Sequence, residues 1–151
     1  RATFACSQAC IPYLKSGKNP HILNLSPPLS MNPKWFKHHV AYTMSKYGMS
    51  MCTLGMAEEL KEFGIAVNSL WPKTTIATAA ISVHFPKEIY QASRNPEIMA
   101  DAAYFILISN AKEATGHFYI DETMLRQHGM HDFEKYAVTP GNPLYSDLFL
   151  E

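Results

Sequence analysis

Apolar positions along the chain fall into alternating rhythms. Phe4, Ala5, Ala9, Ile11 and Leu14 recur close to the 3.6-residue spacing and predict a helix over residues 2–15. Pro12 is expected to kink or end it. Ser16-Gly17-Lys18-Asn19-Pro20 punctuates that pattern as a turn. Residues 21–25 (HILNL) read as a short buried strand, stopped by Ser26-Pro27-Pro28, and residues 26–40 read as a loop rich in Pro, Asn and His. The longest helical pattern covers residues 41–63, with its acids near the end and Gly64 as its stop. A second strand over 65–71 is closed by Pro72. Residues 73–95 predict a short helix and a loop, and 96–109 a helix opened by Asn95-Pro96. Residues 117–121 form a third strand, and the remainder is loop-rich, with a turn at 140–143. There is no internal repeat and no low-complexity segment.

Helix, strand, helix, strand, helix, strand implies parallel strands joined by right-handed crossovers, an α/β layered sheet. Three strands make a narrow sheet whose first edge needs a cover. The chain also opens on Arg1 with helical residues following at once and no capping residue before Ala2. Both features lead us to expect a fragment, half of a larger domain. The division expected is a main body over 1–121 and a loop-rich extension of the same domain over 122–151.

Composition narrows the class. The 151 residues are 47% hydrophobic with a formal net charge of zero, which argues against disorder. A chain of this length buries roughly 68–70% of its unfolded surface. The longest apolar run, 102–108, falls well short of the roughly 18 residues of a membrane span, and the start lacks the pattern of a secretory leader. Cys6, Cys10 and Cys52 are an odd set without a C-x-x-C. They are expected to be buried small apolar side chains in a reducing, intracellular setting. Charge is uneven: residues 1–75 carry eight Lys and Arg against three acids, and no acid precedes Glu58. The basic residues are dispersed, so an anionic cofactor or a solvated surface is favoured over nucleic acid. His128-x-x-His131 has no Cys nearby, and no metal site is expected. His38-His39 reads as exposed loop histidines. Four methionines of the long helix (Met44, Met49, Met51, Met56) read as core or helix-pair packing.

The candidate chemistry is Tyr42-Thr43-Met44-Ser45-Lys46. Residues four apart share a helix face, so Tyr42 and Lys46 point into the same space. A phenol is a weak acid with a reference pKa near 10, and a neighbouring ammonium stabilises its phenolate. Such a tyrosine can exchange a proton with a carbonyl or alcohol oxygen. The pair alone is a weak signal; its setting strengthens it. A strand ending in Asn24-Leu25-Ser26 precedes it, a strand carrying Asn68-Ser69-Leu70-Trp71-Pro72 follows, and Thr115 to Asp121 (TGHFYID) closes the series.

This ordered set resembles the C-terminal half of the short-chain dehydrogenase/reductase family. The resemblance implies half of a Rossmann-like doubly wound parallel sheet and an NADP- or NAD-dependent oxidoreductase acting on a hydrophobic, lipid-derived alcohol or ketone. It implies that Tyr42 is the acid/base, that Lys46 holds the nicotinamide ribose, and that the segment after Pro72, with Thr75, lines the nicotinamide end. It further implies a homo-oligomer built through residues 2–14 and 47–62, and a peroxisomal or mitochondrial location.

Three departures stand against the family pattern. Leu29 occupies the position, thirteen before the tyrosine, where the family places a catalytic serine, which leaves Ser26 as the substitute. Lys73 stands where the family has a glycine after the strand-ending proline. The seven glycines are scattered, and none forms the Gly-rich turn that cradles a pyrophosphate. The 151 residues alone are therefore expected to be inactive. The rival expectation is a non-catalytic lipid-handling or interaction protein that kept the fold.

Overall fold

The computed structural model describes residues 1–150. It is an α/β chain with a three-stranded sheet in the order β1-β2-β3. In chain order the elements are α1 (Ala2–Leu14), β1 (His21–Asn24), α2 (Val40–Glu59), β2 (Ala66–Trp71), α3 (Ala79–His84), α4 (Lys87–Gln91), α5 (Glu97–Ile108), β3 (Phe118–Ile120) and α6 (Asp121–Gln127). Single 3-10 turns lie at 33–35, 61–63 and 134–136. The chain divides into two compact units.

The first unit comprises residues 1–71 and 106–119. β1 and β2 pair in parallel, His21 opposite Ala66 and Asn24 opposite Ser69. β2 is buried at every position, the mark of a central strand covered on both faces. Beyond β2, Gly116 N–H donates to the Val67 carbonyl and Ser69 N–H to that of His117. Asn68 ties the approach: its amide donates to the Ala114 carbonyl at 2.7 Å and its oxygen accepts from His117 N–H at 2.9 Å. Met56 and Ala57 of α2 and Leu60 just past its end pack against Ile65 and Val67; each large apolar side chain so buried stabilises by about 1.5–3 kcal/mol. Gly64 ends the turn after α2 at φ 66°, a left-handed conformation that suits glycine.

α1 continues through Pro12 to Leu14. The ring removes one late hydrogen bond and leaves the last turn intact. The cysteine expectation fails there. Cys6 and Cys10 are exposed and Cys52 is half-buried, because α1 buries Ser7 alone and both cysteines lie on its uncovered surface. Of the methionines of α2, Met56 is core, while Met44 and Met51 are exposed. The buried residues of α2 are Thr43, Tyr47, Ser50, Thr53, Met56 and Ala57, so four of its six buried side chains bear a hydroxyl.

The second unit comprises residues 72–105 and 120–151. Its centre is the segment 73–77, flanked on one side by 92–95 and on the other by 145–147. Thr75 N–H donates to the Tyr145 carbonyl and Asp147 N–H to that of Lys73. Arg94 N–H donates to the Thr75 carbonyl, and Ala77 N–H to that of Arg94. The stretch after Asp121, expected to be loop-rich, opens with α6, which buries Met124 and Leu125. No helix of the described residues is long and apolar enough to cross a membrane.

Candidate functional site

Tyr42 and Lys46 lie in the first two turns of α2. The entry to that helix is fixed by a clamp that sequence reading missed. Thr43, fully buried, donates its hydroxyl to the Trp35 carbonyl and accepts from His39 Nδ1 at 3.0 Å. His39, expected to be an exposed loop residue, is half-buried and forms the N-cap position of α2. Phe36 meets Tyr47 edge to face at 5.6 Å. One turn on, Ser50 donates to the Pro27 carbonyl at 2.6 Å, joining α2 to the proline-rich loop. Tyr42 is 44% exposed, so its phenol reaches solvent from a helix held on three sides.

Lys46 reaches over the carboxyl ends of two parallel strands. Its ammonium lies 3.5 Å from the Leu25 carbonyl, just past β1, and 5.2 Å from the ring of Trp71, the last residue of β2. Open α/β sheets bind their ligands outside the carboxyl ends of their strands. A phenol and an ammonium one turn apart fit the donor needs of a ribose and a reacting oxygen.

Ser26 is placed differently from the other two. It has no exposed surface, and its Oγ lies 2.7 Å from Ser69 Oγ. Ser69 donates onward to Thr53 Oγ1 at 2.9 Å, which also accepts from the Asn24 amide at 2.8 Å. Thr53 sends its own proton to the Met49 carbonyl. The direction of this ladder makes Ser26 a donor into the protein interior. Three of the ladder's members, Asn24, Ser26 and Ser69, stand in the motifs of the sequence; their link through Thr53 does not.

Thr75 belongs to the second unit. It is buried, and its hydroxyl lies 2.7 Å from that of Ser93, which donates to the Ile89 carbonyl. Beside it stands an ionic cluster that sequence reading also missed. Glu122, 3% exposed, meets Arg94 at 2.7 Å, Lys73 at 2.8 Å and Arg126 at 2.8 Å. Burial alone pushes its carboxyl up, but hydrogen bonds from Lys73, Arg126 and Arg94 outweigh that and hold it down at about 2. Asp121, with no exposed surface, has its pKa raised, chiefly by burial, against the pull of the Lys73 and Glu122 amides. Among the described residues no group of three or more His, Cys, Asp or Glu is placed to hold a metal ion.

Comparison with known proteins places the chain in a family. A family model described as short chain dehydrogenase matches residues 1–87. The chain is 56% identical, over all 151 residues, to hydroxysteroid dehydrogenase-like protein 2 of Xenopus laevis, and spans 36% of that relative's length. A crystal structure from Xanthomonas campestris superposes with a TM-score of 0.94 at 48% identity, covering 100% of this chain and 55% of that one. A 7α-hydroxysteroid dehydrogenase complexed with NADH and 7-oxo glycochenodeoxycholic acid matches 79% of this chain and 49% of its own at a TM-score of 0.62 and 24% identity, a likeness of fold alone. With Lys46 seated over the ends of β1 and β2, and the family model covering more than half its length, this chain belongs to the short-chain dehydrogenase family.

Proposed function

We propose that this chain carries the catalytic residues of an NADP- or NAD-dependent oxidoreductase acting on a hydrophobic, lipid-derived alcohol or ketone, and that residues outside it complete the cofactor site. The observation that carries this reading is the position of Lys46 over both strand ends, one helical turn from an exposed phenol. Tyr42 transfers the proton to or from the substrate oxygen. Lys46 hydrogen-bonds the nicotinamide ribose and favours the phenolate of Tyr42. The bound dinucleotide supplies the hydride. Thr75 and its segment line the nicotinamide end. Ser26 acts through the strand it anchors, since its hydroxyl is buried and points inward. Exposed Phe4, Tyr13, Met51 and Leu54 support a homo-oligomer packed through residues 2–14 and 47–62.

The test is turnover of the full-length protein with several ketones and alcohols. Tyr42→Phe is expected to lower kcat by about 10²–10⁴-fold, the range typical of a lost general acid/base, while cofactor affinity is unchanged. Turnover equal to wild type would remove Tyr42 from the chemistry. A second reading, a lipid-handling or interaction protein that kept the fold, is favoured by Leu29 at the usual serine position and by the burial of Ser26. It predicts no nucleotide-dependent absorbance change with any substrate.

A further inference from the structure

The polar groups of the second unit converge on one short segment. Where the family has a glycine after the strand-ending proline, Lys73 is held at both its main chain and its side chain. Its N–H donates to Asp121 Oδ1 at 2.8 Å, and its ammonium to Glu122 Oε1 at 2.8 Å. The other oxygen of Glu122 lies 2.7 Å from Arg94 Nη1. Arg94 returns the hold through its backbone, donating to the Thr75 carbonyl at 2.9 Å and accepting from Ala77 N–H at 2.8 Å. Its neighbour Ser93 engages the Thr75 hydroxyl. Glu122 therefore reaches the segment 73–77 twice, directly at Lys73 and through Arg94 at Thr75.

We propose that Glu122, with Arg94 and Lys73, is a positioning residue that sets the path of 73–77 in place of the glycine turn and so presents Thr75 to the cofactor. The inference rests on the dehydrogenase reading given above. A buried carboxylate paired with a buried guanidinium resists rearrangement, because parting Glu122 from Arg94 leaves an uncompensated charge in the interior. A segment ordered before its ligand arrives loses less entropy on binding. Weakening the cluster should therefore cost cofactor affinity and leave proton transfer at Tyr42 alone.

The experiment uses the full-length protein with NADH and NADPH as probes. Lys73→Met removes one cation whose side chain is half exposed, Glu122→Gln removes the charge at the centre, and Lys73→Arg restores the cation. Amide exchange is followed across 73–77 and across 66–71, alongside dinucleotide affinity and the pH profile of kcat. In Lys73→Met and Glu122→Gln, exchange across 73–77 should quicken about tenfold and dinucleotide affinity weaken about tenfold, the effect of one charge-assisted hydrogen bond. Exchange across 66–71 and the pH profile should not move, and Lys73→Arg should recover both losses. If Glu122→Gln fails to fold, the Lys73 pair decides. Unchanged exchange in Lys73→Met overturns the proposal, as does faster exchange with full dinucleotide affinity. A wild type that binds neither nucleotide, while Lys73→Met still loosens 73–77, overturns the dehydrogenase reading and leaves the clamp standing.

Discussion

The two compact units bury their polar groups in opposite ways. In the first, Asn24, Thr53, Ser69 and Ser26 form a neutral ladder: the Asn24 amide and the Ser69 hydroxyl both donate to Thr53 Oγ1, and Ser69 meets Ser26. In the second, a carboxylate is buried against an equally buried guanidinium and finished by Lys73 and Arg126. The ladder fixes geometry without adding a formal charge to the interior. The ionic cluster fixes a backbone path through charge, at a desolvation cost that its pairing must offset, with Arg94 Nε and Asp121 Oδ2 buried beside it without a hydrogen-bond partner. Order at the ends of β1 and β2 comes from hydroxyls, and rigidity in the segment after Pro72 comes from charge.

The sharpest way to break this contrast is Glu122→Ala. It strands Arg94 without its partner in the interior and should destabilise the protein by about 3–5 kcal/mol, read by denaturant unfolding. A loss under 1 kcal/mol would mean that the cluster is not a closed ion network. Acid gives the next test. The folded carboxyl of Glu122 lies below its unfolded value, so its contribution is complete above the ordinary carboxylate pKa and fades as pH falls toward about 2. Unfolding midpoints of the wild type should drop over that range, and the Glu122→Gln protein should show a shallower drop. Thr53→Val should cost less, about 1–3 kcal/mol, because it leaves the Asn24 amide and the Ser69 hydroxyl without their acceptor. That loss should be nearly independent of pH between 5 and 8, since no member of the ladder titrates there. A steep pH dependence would erase the distinction between the units.

The strands and the Tyr42–Lys46 pair were legible because each has a simple period: two short apolar runs ended by proline, and a four-residue step on a helix. Faces were harder. Met44 and Met51 look like core residues, yet α2 turns them outward and buries Thr43, Ser50 and Thr53 instead. The hydroxyls find partners in the Trp35 carbonyl, the Pro27 carbonyl and Ser69, and those partners depend on tertiary structure that periodicity does not encode. Cys6 and Cys10 were misplaced for the related reason that α1 is covered along a single narrow line. Helix α6 escaped notice because β3 passes into it with no turn residue between Ile120 and Asp121. Glu122 was invisible as a site because its cations come from positions 73, 94 and 126, none of which shares a motif with it.

The seat of Lys46 also measures strand alignment. Its ammonium spans from the residue after β1 to the last residue of β2, and those two ends meet only because His21 is paired with Ala66 and Asn24 with Ser69. A slip of one residue would turn each side chain of β1 to the opposite face of the sheet and carry the Leu25 carbonyl out of register with Trp71. The four-residue match between β1 and β2 is thus written into the reach of one side chain, and a chain that folded with the wrong alignment would lose the seat of Lys46 before it lost its shape.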